Sequence, residues 1–163
     1  MQKYSSANTS VNANKLPKIY TLAAEKIKGK KVIDYGCGKY FDNYLSKVDA
    51  ELYGYDKYNR DDQAVLQGSY DITICSNVLN VIAEREVRRE VLEELARLAP
   101  LVLIKVYEGD RSGVGKVTKA DCYQLNWSIG NYIPELVAVF GSGNVTWCHG
   151  YFECRRAAES EVA

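Results

Sequence analysis

The segment VIDYGCGKY (residues 32–40) joins a short apolar run to two closely spaced glycines. An apolar run that ends at glycine is typical of a buried strand followed by a tight turn. The next residues, 41–48, have the apolar spacing of a short helix. A strand, a glycine turn and a helix in this order predict a βαβ unit, whose second strand runs parallel to the first.

The same alternation of strand and helix patterns continues along the chain. Alternating elements predict a Rossmann-like fold, a three-layer αβα sandwich around a mostly parallel central sheet of about six to seven strands, with an antiparallel C-terminal strand. Strands are predicted near residues 30–36, 51–56 and 101–108, from residue 70, and within 145–156, with room for a very short one at 64–66; further helices are predicted at 16–29, 84–100 and 129–141.

The chain length of 163 residues suits one domain with one core. Residues 1–14 are rich in Ser, Asn and Ala, and we expect them to form a flexible N-terminal arm until something binds. A single domain is predicted over residues 15–158, followed by a short tail at 159–163.

The charge balance does not favour a sequence-independent nucleic-acid binder. Lys+Arg and Asp+Glu both number 21, so the formal net charge is zero. Proteins that bind nucleic acid without sequence preference usually carry a basic surplus that neutralises phosphates. A local basic face remains open.

The five cysteines have the spacing of neither a disulfide framework nor a zinc site. We therefore expect no metal centre and a reducing, cytoplasmic setting. No apolar run approaches the roughly 20 residues of a membrane-spanning helix, and residues 1–10 lack a signal-peptide core.

The glycine turn fits two phosphate-binding motifs poorly. A dinucleotide fingerprint would have a third glycine where the chain has Phe41, and a P-loop would have a hydroxyl residue suited to magnesium where it has Tyr40. Instead, Asp34 precedes Gly36 by two residues, and Asp56 ends the second predicted strand. A purely structural bend between strand and helix is the alternative interpretation.

Three segments, VIDYGCGKY, LYGYD (52–56) and SYDITICSNVLNVI (69–82), resemble motifs I, II and IV of the class I S-adenosylmethionine-dependent methyltransferases. The resemblance extends over residues 16–108. It implies S-adenosylmethionine as cofactor, with Asp34 facing the methionyl ammonium and Asp56 accepting hydrogen bonds from the ribose hydroxyls. The other cofactor-binding residues that it implies are Gly36, Cys37, Gly38, Tyr40, Lys57, Ser76 and Asn77.

Two parts of the resemblance are less regular. The family usually has a small residue where this chain has Tyr40, which here could line the pocket with a ring. The family holds adenine near the end of its third strand, where this chain has only a short connection. The candidates there are Asp62 or Gln63, with Val65 or Leu66 as the apolar contact.

Methyl transfer needs alignment more than dedicated catalytic groups, because the sulfonium is already a good leaving group. Ser76, Asn77 and Tyr107 are the catalytic candidates. The motif IV segment lacks the Asn/Asp-Pro-Pro-aromatic pattern of the amino-methyltransferases of DNA and RNA, and the chain has no Pro-Cys pair. SNVLNVI is more similar to motif IV of enzymes that act on small acceptors.

The acceptor remains open between a small molecule and a nucleotide or nucleic acid. The segment after the fourth predicted strand interleaves basic and aromatic residues, which could bind a phosphate and stack a base. Solvated charges above packed aromatics are the alternative interpretation. The residues concerned are Lys105, Arg111, Lys116 and Lys119, with Tyr107, Tyr123, Trp127 and Tyr132.

Two other functions compete with methyl transfer. A non-catalytic protein that binds S-adenosylmethionine could keep this fold and serve as a partner subunit, although such a scaffold needs neither Asp34 nor Asp56. A nicotinamide-dependent enzyme is disfavoured by Phe41. His149, the chain's single histidine, is expected in a terminal strand or turn away from the site.

Overall fold

The computed structural model describes residues 1–8 and 13–157. Its strands are β1 (Lys31–Tyr35), β2 (Glu51–Tyr55), β3 (Ile72–Ser76), β4 (Leu101–Lys105), β5 (Gly115–Lys119), β6 (Cys122–Leu125), β7 (Val145–Trp147) and β8 (Phe152–Arg155). Its α-helices are α1 (Lys18–Leu22), α2 (Ala24–Ile27), α3 (Phe41–Tyr44), α4 (Arg85–Leu98) and α5 (Ile133–Phe140).

Six strands form one sheet in the order β2-β1-β3-β4-β8-β7. The four strands β1 to β4 run parallel, and β8 runs antiparallel to both of its neighbours. This arrangement confirms the predicted αβα fold with a mostly parallel sheet and an antiparallel C-terminal strand. The turn between β7 and β8 includes Gly150, and both strands lie within residues 145–156, where the sequence predicted strand structure.

Apolar side chains of the sheet pack against helices on both faces. Along β3, Cys75 belongs to the core cluster that includes Leu92 of α4 and Phe140 of α5. The preceding residue, Ile74, belongs to the opposite cluster with Ile19 of α1. Successive side chains of a strand point to opposite faces, so this run of apolar residues covers both layers.

The order of the strands reverses at β1. From β1 the chain moves to one side to form β2 and then crosses to the other side to form β3. In open α/β sheets, ligands bind outside the carboxyl ends of the strands at such a switch point. The residues that follow β1, β2 and β3 are therefore the ones that the fold brings to a common crevice.

Two predicted elements differ from the structure. The helix predicted at 16–29 is two short helices that meet at Ala23, whose φ of −106° and ψ of 16° end the first of them. At 64–66 the structure has a 3-10 turn, Val65–Gln67, and no strand, so β2 is the edge of the sheet. The short polar connection between β2 and β3 leaves too few apolar residues for another buried strand.

The hairpin formed by β5 and β6 was not predicted from the sequence. The two strands pair only with each other, and four of the five residues of β5 are exposed. A strand that buries so little surface has no strong apolar period, so the sequence pattern indicated no strand at residues 115–119.

No helix within the described ranges is long and apolar enough to cross a membrane. The tail predicted at 159–163 lies outside the described residues.

Candidate functional site

A cavity of about 240 Å³ lies at the carboxyl ends of β1, β2 and β3. It combines polar side chains with a few aliphatic ones, as small-molecule sites commonly do. Its lining includes Asp34, Tyr35, Gly36, Cys37, Gly38, Lys39 and Tyr44, then Tyr55, Asp56, Lys57, Tyr58 and Asn59, then Ser76, Asn77, Val78, Val81, Ile82 and Val91, and finally Gln2, Ser5, Ser6, Ala7 and Pro17.

The glycine turn forms one wall of this first cavity. Gly36 and Gly38 have φ angles of 85° and 76°, a left-handed conformation that glycine adopts without strain. A Cβ atom on Gly36 would lie 2.2 Å from Cγ2 of Val78, so the backbone there passes directly over that side chain. The amides of Gly36 and Cys37 donate to the carbonyl of Tyr55 at 2.7 and 3.0 Å, which holds the turn against the end of β2.

The Phe41 ring explains why a third glycine is absent. It packs on Gly54 of β2, where an added Cβ atom would lie 2.8 Å from the ring. The start of α3 thus rests on the sheet through an aromatic ring placed over a glycine. Close packing of helix and sheet is achieved by removing the side chain from the strand rather than from the helix.

Asp34 lies at the buried end of the cavity, with 3% of its surface exposed. Its Oδ2 atom accepts hydrogen bonds from the hydroxyls of Tyr20 and Tyr44, the second at 3.0 Å. Burial raises the pKa of Asp34 to about 6, although both tyrosine hydrogen bonds oppose that rise. A buried carboxyl group with a raised pKa attracts a cation, because a nearby positive charge stabilises its ionised form.

Asp56 organises the loops at the end of β2. Its Oδ2 atom accepts a hydrogen bond from the amide of Gly38 at 2.9 Å, and its Oδ1 atom accepts from the amides of Tyr58 and Asn59, both at 3.0 Å. The carboxylate therefore ties the glycine turn to the loop after β2. A carboxylate offers about four acceptor positions, so Oδ2 keeps capacity for a ligand hydroxyl.

Ser76, the last residue of β3, and Asn77, which follows it, line the first cavity. Asn77 has a φ of 60°, which is uncommon for residues other than glycine. Its amide donates to the carbonyl of Lys105 at 2.8 Å, and this bond fixes the turn after β3 to the end of β4.

Cys37 contributes an uncharged side chain to the wall of the first cavity. Burial raises the pKa of its thiol, and the nearby carboxylates of Asp34 and Asp56 raise it further. The thiol therefore stays protonated at neutral pH and is a poor nucleophile.

Residues 1–8 pass over the cavity and contact the β5–β6 hairpin. The amide of Ser6 donates to the carbonyl of Asp121 at 2.8 Å, and the amide of Ser5 donates to its Oδ1 atom at 3.0 Å. The ring of Tyr4 stacks on that of Tyr123, with centroids 5.5 Å apart and planes within 8°. The arm predicted at 1–14 includes residues 9–12, which lie outside the described ranges, and its flexibility stays a prediction.

A second cavity of about 250 Å³ adjoins the first. Tyr40 lines this second cavity and is absent from the lining of the first. The second cavity is lined by Lys15, Leu16, Pro17, Lys18, Cys37, Gly38, Lys39, Tyr40, Tyr44 and Asn77.

Several candidates from the sequence lie away from both cavities. Tyr107 is 61% exposed and lines neither cavity. The adenine candidates Asp62 and Gln63 also line neither cavity. Arg111 pairs with Glu108 at 3.0 Å. The remaining candidates of the basic and aromatic segment that lie outside the linings are Lys105, Lys116, Lys119, Tyr123, Trp127 and Tyr132, together with Val65 and Leu66 from the adenine set.

The structure places His149 in the turn between β7 and β8, with a φ of 48°. Among residues 1–8 and 13–157, no group of three or more His, Cys, Asp or Glu side chains is arranged to hold a metal ion.

Two residues that line the first cavity, Gln2 and Tyr44, were not predicted from the sequence. Tyr20 and Tyr44 reach Asp34 from α1 and α3, and Gln2 and Ser6 come from the N-terminal segment. Helical spacing marked Tyr20 as a core residue, and it gave no sign that its hydroxyl meets a carboxylate 14 residues away.

No protein-family model matches the sequence, and no curated protein matches it either. Among solved structures, the chain resembles the 1,6-didemethyltoxoflavin-N1-methyltransferase of Burkholderia thailandensis, which was solved with 1,6-didemethyltoxoflavin and S-adenosylhomocysteine bound. The TM-score is 0.61 at 16% identity, over 85% of this chain and 76% of that one.

Two further structures are similar. The S-adenosylmethionine-dependent methyltransferase of Mesorhizobium loti has a TM-score of 0.54 at 12% identity, over 89% of this chain and 100% of that one. The magnesium protoporphyrin IX methyltransferase of Synechocystis, solved with S-adenosylmethionine, has a TM-score of 0.50 at 21% identity, over 86% and 76%. These similarities show that the chain has the class I methyltransferase fold.

Proposed function

We propose that this protein binds S-adenosylmethionine in the first cavity and transfers its methyl group to an acceptor. The observation that carries the proposal is the pair of carboxylates, Asp34 and Asp56, on either side of a glycine turn at the switch point of the sheet. The class I methyltransferase fold supports the same cofactor.

The residues present fit this cofactor. Asp34 is a buried carboxyl group whose charge has no cationic partner within the described residues, and the methionyl ammonium would supply one. The bare backbone at Gly38, where an added Cβ atom would have no neighbour within 4 Å, leaves room for the amino-acid end of the ligand. Asp56 would accept a hydrogen bond from a ribose hydroxyl through Oδ2, while Lys57, Ser76 and Asn77 complete the wall.

When bound, the cofactor supplies a methyl group on a sulfonium, which leaves as a neutral thioether once an acceptor lone pair attacks the methyl carbon. The protein's own contribution is to hold donor and acceptor in line and to exclude water. Asn77 lines both cavities, so its amide is placed to orient an acceptor group. Ser76 lines the first cavity beside it, whereas exposed Tyr107 is not part of the proposed site.

Calorimetric titration with S-adenosylmethionine, S-adenosylhomocysteine and NAD tests the cofactor. We expect the first two to bind and NAD to bind far more weakly. Asp34→Asn should weaken binding of S-adenosylmethionine by about tenfold or more, because the ammonium loses its charged partner. Asp49→Asn, at an exposed carboxylate outside both cavities, is the matched control. Tighter binding of NAD than of S-adenosylmethionine would contradict the proposal.

Radiolabelled methyl transfer tests catalysis separately from binding. We expect label in a metabolite fraction when the protein is incubated with separated DNA, RNA, protein and small-molecule extracts. Binding of the cofactor without transfer to any fraction would favour the non-catalytic partner subunit instead.

All five cysteines are free, which supports the proposed reducing, cytoplasmic setting.

A further inference from the structure

The charged residues that line the second cavity are all basic. Three of its lining residues are lysines, Lys15, Lys18 and Lys39, and none is acidic. The first cavity differs, since Asp34 and Asp56 both line it. Because Lys39 and Lys57 also line the first cavity, its charges are mixed, whereas the charged residues of the second cavity are all basic.

The lysines of the second cavity have no neutralising partner in the part of the chain that the structure describes. None of the three forms an ion pair there. Burial lowers the pKa of Lys105 at the end of β4, and the positive charge of Lys18 lowers it further, so a fourth lysine lies within electrostatic reach. In a chain of zero formal net charge, this cluster is a local excess that an anion would relieve.

Two tyrosine rings line the same cavity. Tyr40 is half-buried, and Nζ of Lys39 lies 5.4 Å from the centroid of its ring. Tyr44 forms the boundary with the first cavity, because it lines both. Flat aromatic walls favour planar ligands, which stack with large contact area. Tyr40 thus lies where the methyltransferase resemblance leads one to expect a small residue, and it supplies a ring to the second cavity.

The position of the second cavity suits a methyl acceptor. Asn77, Gly38 and Tyr44 line both cavities, so ligands in the two would meet beside these residues. Its volume of about 250 Å³ suits a small molecule. Pockets for drug-sized ligands are commonly about 300 to 1,000 Å³.

We propose that the second cavity binds the methyl acceptor, and that this acceptor is a small planar molecule carrying a carboxylate or phosphate group. Lys18 and Lys39 bind the anionic group, and the ring of Tyr40 packs on the planar part. The proposal rests on the proposed function, because it takes the first cavity as the cofactor site. The basic residues of the β5 strand lie outside this cavity, which favours a small anion over a nucleic acid.

The test uses the full chain saturated with S-adenosylhomocysteine and four single-ring probes. Phenyl phosphate and benzoate carry the anion, whereas benzyl alcohol and benzamide are neutral compounds of similar shape. We expect the anions to bind about tenfold or more tightly than the neutral compounds, because charge-assisted hydrogen bonds are stronger than neutral ones. Equal affinity of benzoate and benzamide would overturn the proposal.

Lysine variants assign the binding to this cavity. Lys18→Gln and Lys39→Gln should each lower the affinity for phenyl phosphate by about three- to tenfold, since each removes one exposed positive charge. Lys47→Gln removes an exposed lysine that lines neither cavity, and it should change nothing. Equal affinities in all three variants would overturn the proposal, whereas a loss confined to Lys18 and Lys39 supports it.

Two further readouts separate the acceptor proposal from the cofactor proposal. The affinity for S-adenosylhomocysteine, measured on the same samples, should stay unchanged in Lys18→Gln, because Lys18 lines the second cavity and is absent from the lining of the first. If S-adenosylhomocysteine fails to bind while phenyl phosphate still binds through Lys18 and Lys39, the cofactor assignment is wrong and the anion site stands. A mixed-sequence single-stranded oligonucleotide that displaces phenyl phosphate at tenfold lower concentration would overturn the small-molecule acceptor.

Discussion

Gly36 has a conformation and a surrounding that no other residue type satisfies. Its φ of 85° strains any side chain, and its missing Cβ atom is what lets Val78 approach. We expect Gly36→Ala to lower the free energy of unfolding by about 2 to 4 kcal/mol, the sum of backbone strain and a core clash. Urea denaturation measures this change.

Alanine substitutions at two other glycines separate the cost of backbone strain from the cost of a side-chain clash. Gly38 has a φ of 76° but nothing within 4 Å of an added Cβ atom, so Gly38→Ala should cost only about 1 kcal/mol. Gly143 has open space and no positive φ, and Gly143→Ala should be close to neutral. A Gly36→Ala protein as stable as Gly143→Ala would show that the turn relaxes away from Val78.

At the scale of elements, the parallel strands β1 to β4 were predictable because most of their residues are buried. Residues 72–75 are apolar or small throughout and lie in the sheet centre, so the sequence pattern and the packing agree. The β5–β6 hairpin was not predictable, because its pairing buries little apolar surface. The same holds for the N-terminal segment, whose contacts depend on Asp121, more than 100 positions away in the chain.

The candidate site was predictable to the extent that its residues lie at the carboxyl ends of the predicted strands. Asp34, near the end of β1, and Asp56, directly after β2, could be assigned to it from their positions at the carboxyl ends of these strands. The role of Asp56 as a link between the glycine turn and the next loop could not, since it depends on backbone amides that any sequence has. The assignment of Tyr40 to a second cavity likewise required the path of the segment before α1.

The contact between residues 1–8 and the hairpin predicts a removable cover over the first cavity. Asp121→Gly deletes the carboxylate that accepts from Ser5 and tolerates the φ of 58° at this position. We expect amide hydrogen exchange at Ser5 and Ser6 to accelerate by about tenfold or more, since their hydrogen bonds weaken. The affinity for S-adenosylhomocysteine should fall by about threefold, because part of the cavity wall becomes mobile.

Lys119→Ala is the control for the cover, because it alters an exposed residue of the same hairpin that forms no hydrogen bond with residues 1–8 in the described structure. Unchanged exchange at Ser5 and Ser6 in Asp121→Gly would show that this hydrogen bond does not hold the segment.

At the scale of the whole molecule, the buried carboxyl group of Asp34 in the first cavity is expected to lower the free energy of unfolding at neutral pH. Asp34 has an ordinary pKa of 3.8 and a pKa of about 6 in the folded protein, chiefly because it is buried. A raised folded-state pKa means that the favourable contribution is complete below pH 3.8 and is lost as the pH rises through 6. The difference corresponds to at most about 3 kcal/mol above pH 6.

Asp34→Asn should therefore be more stable than the natural sequence at pH 7.5, by up to about 3 kcal/mol, and equally stable near pH 4. Asparagine keeps an oxygen that accepts from Tyr20 and Tyr44, so the hydrogen bonds survive while the buried charge is removed. Urea denaturation at both pH values, with Asp49→Asn as control, measures the difference. A less stable Asp34→Asn at pH 7.5 would mean that the tyrosines outweigh burial. A more stable variant with weaker cofactor binding would show that the molecule gives up stability to keep a negative charge ready for a cationic ligand.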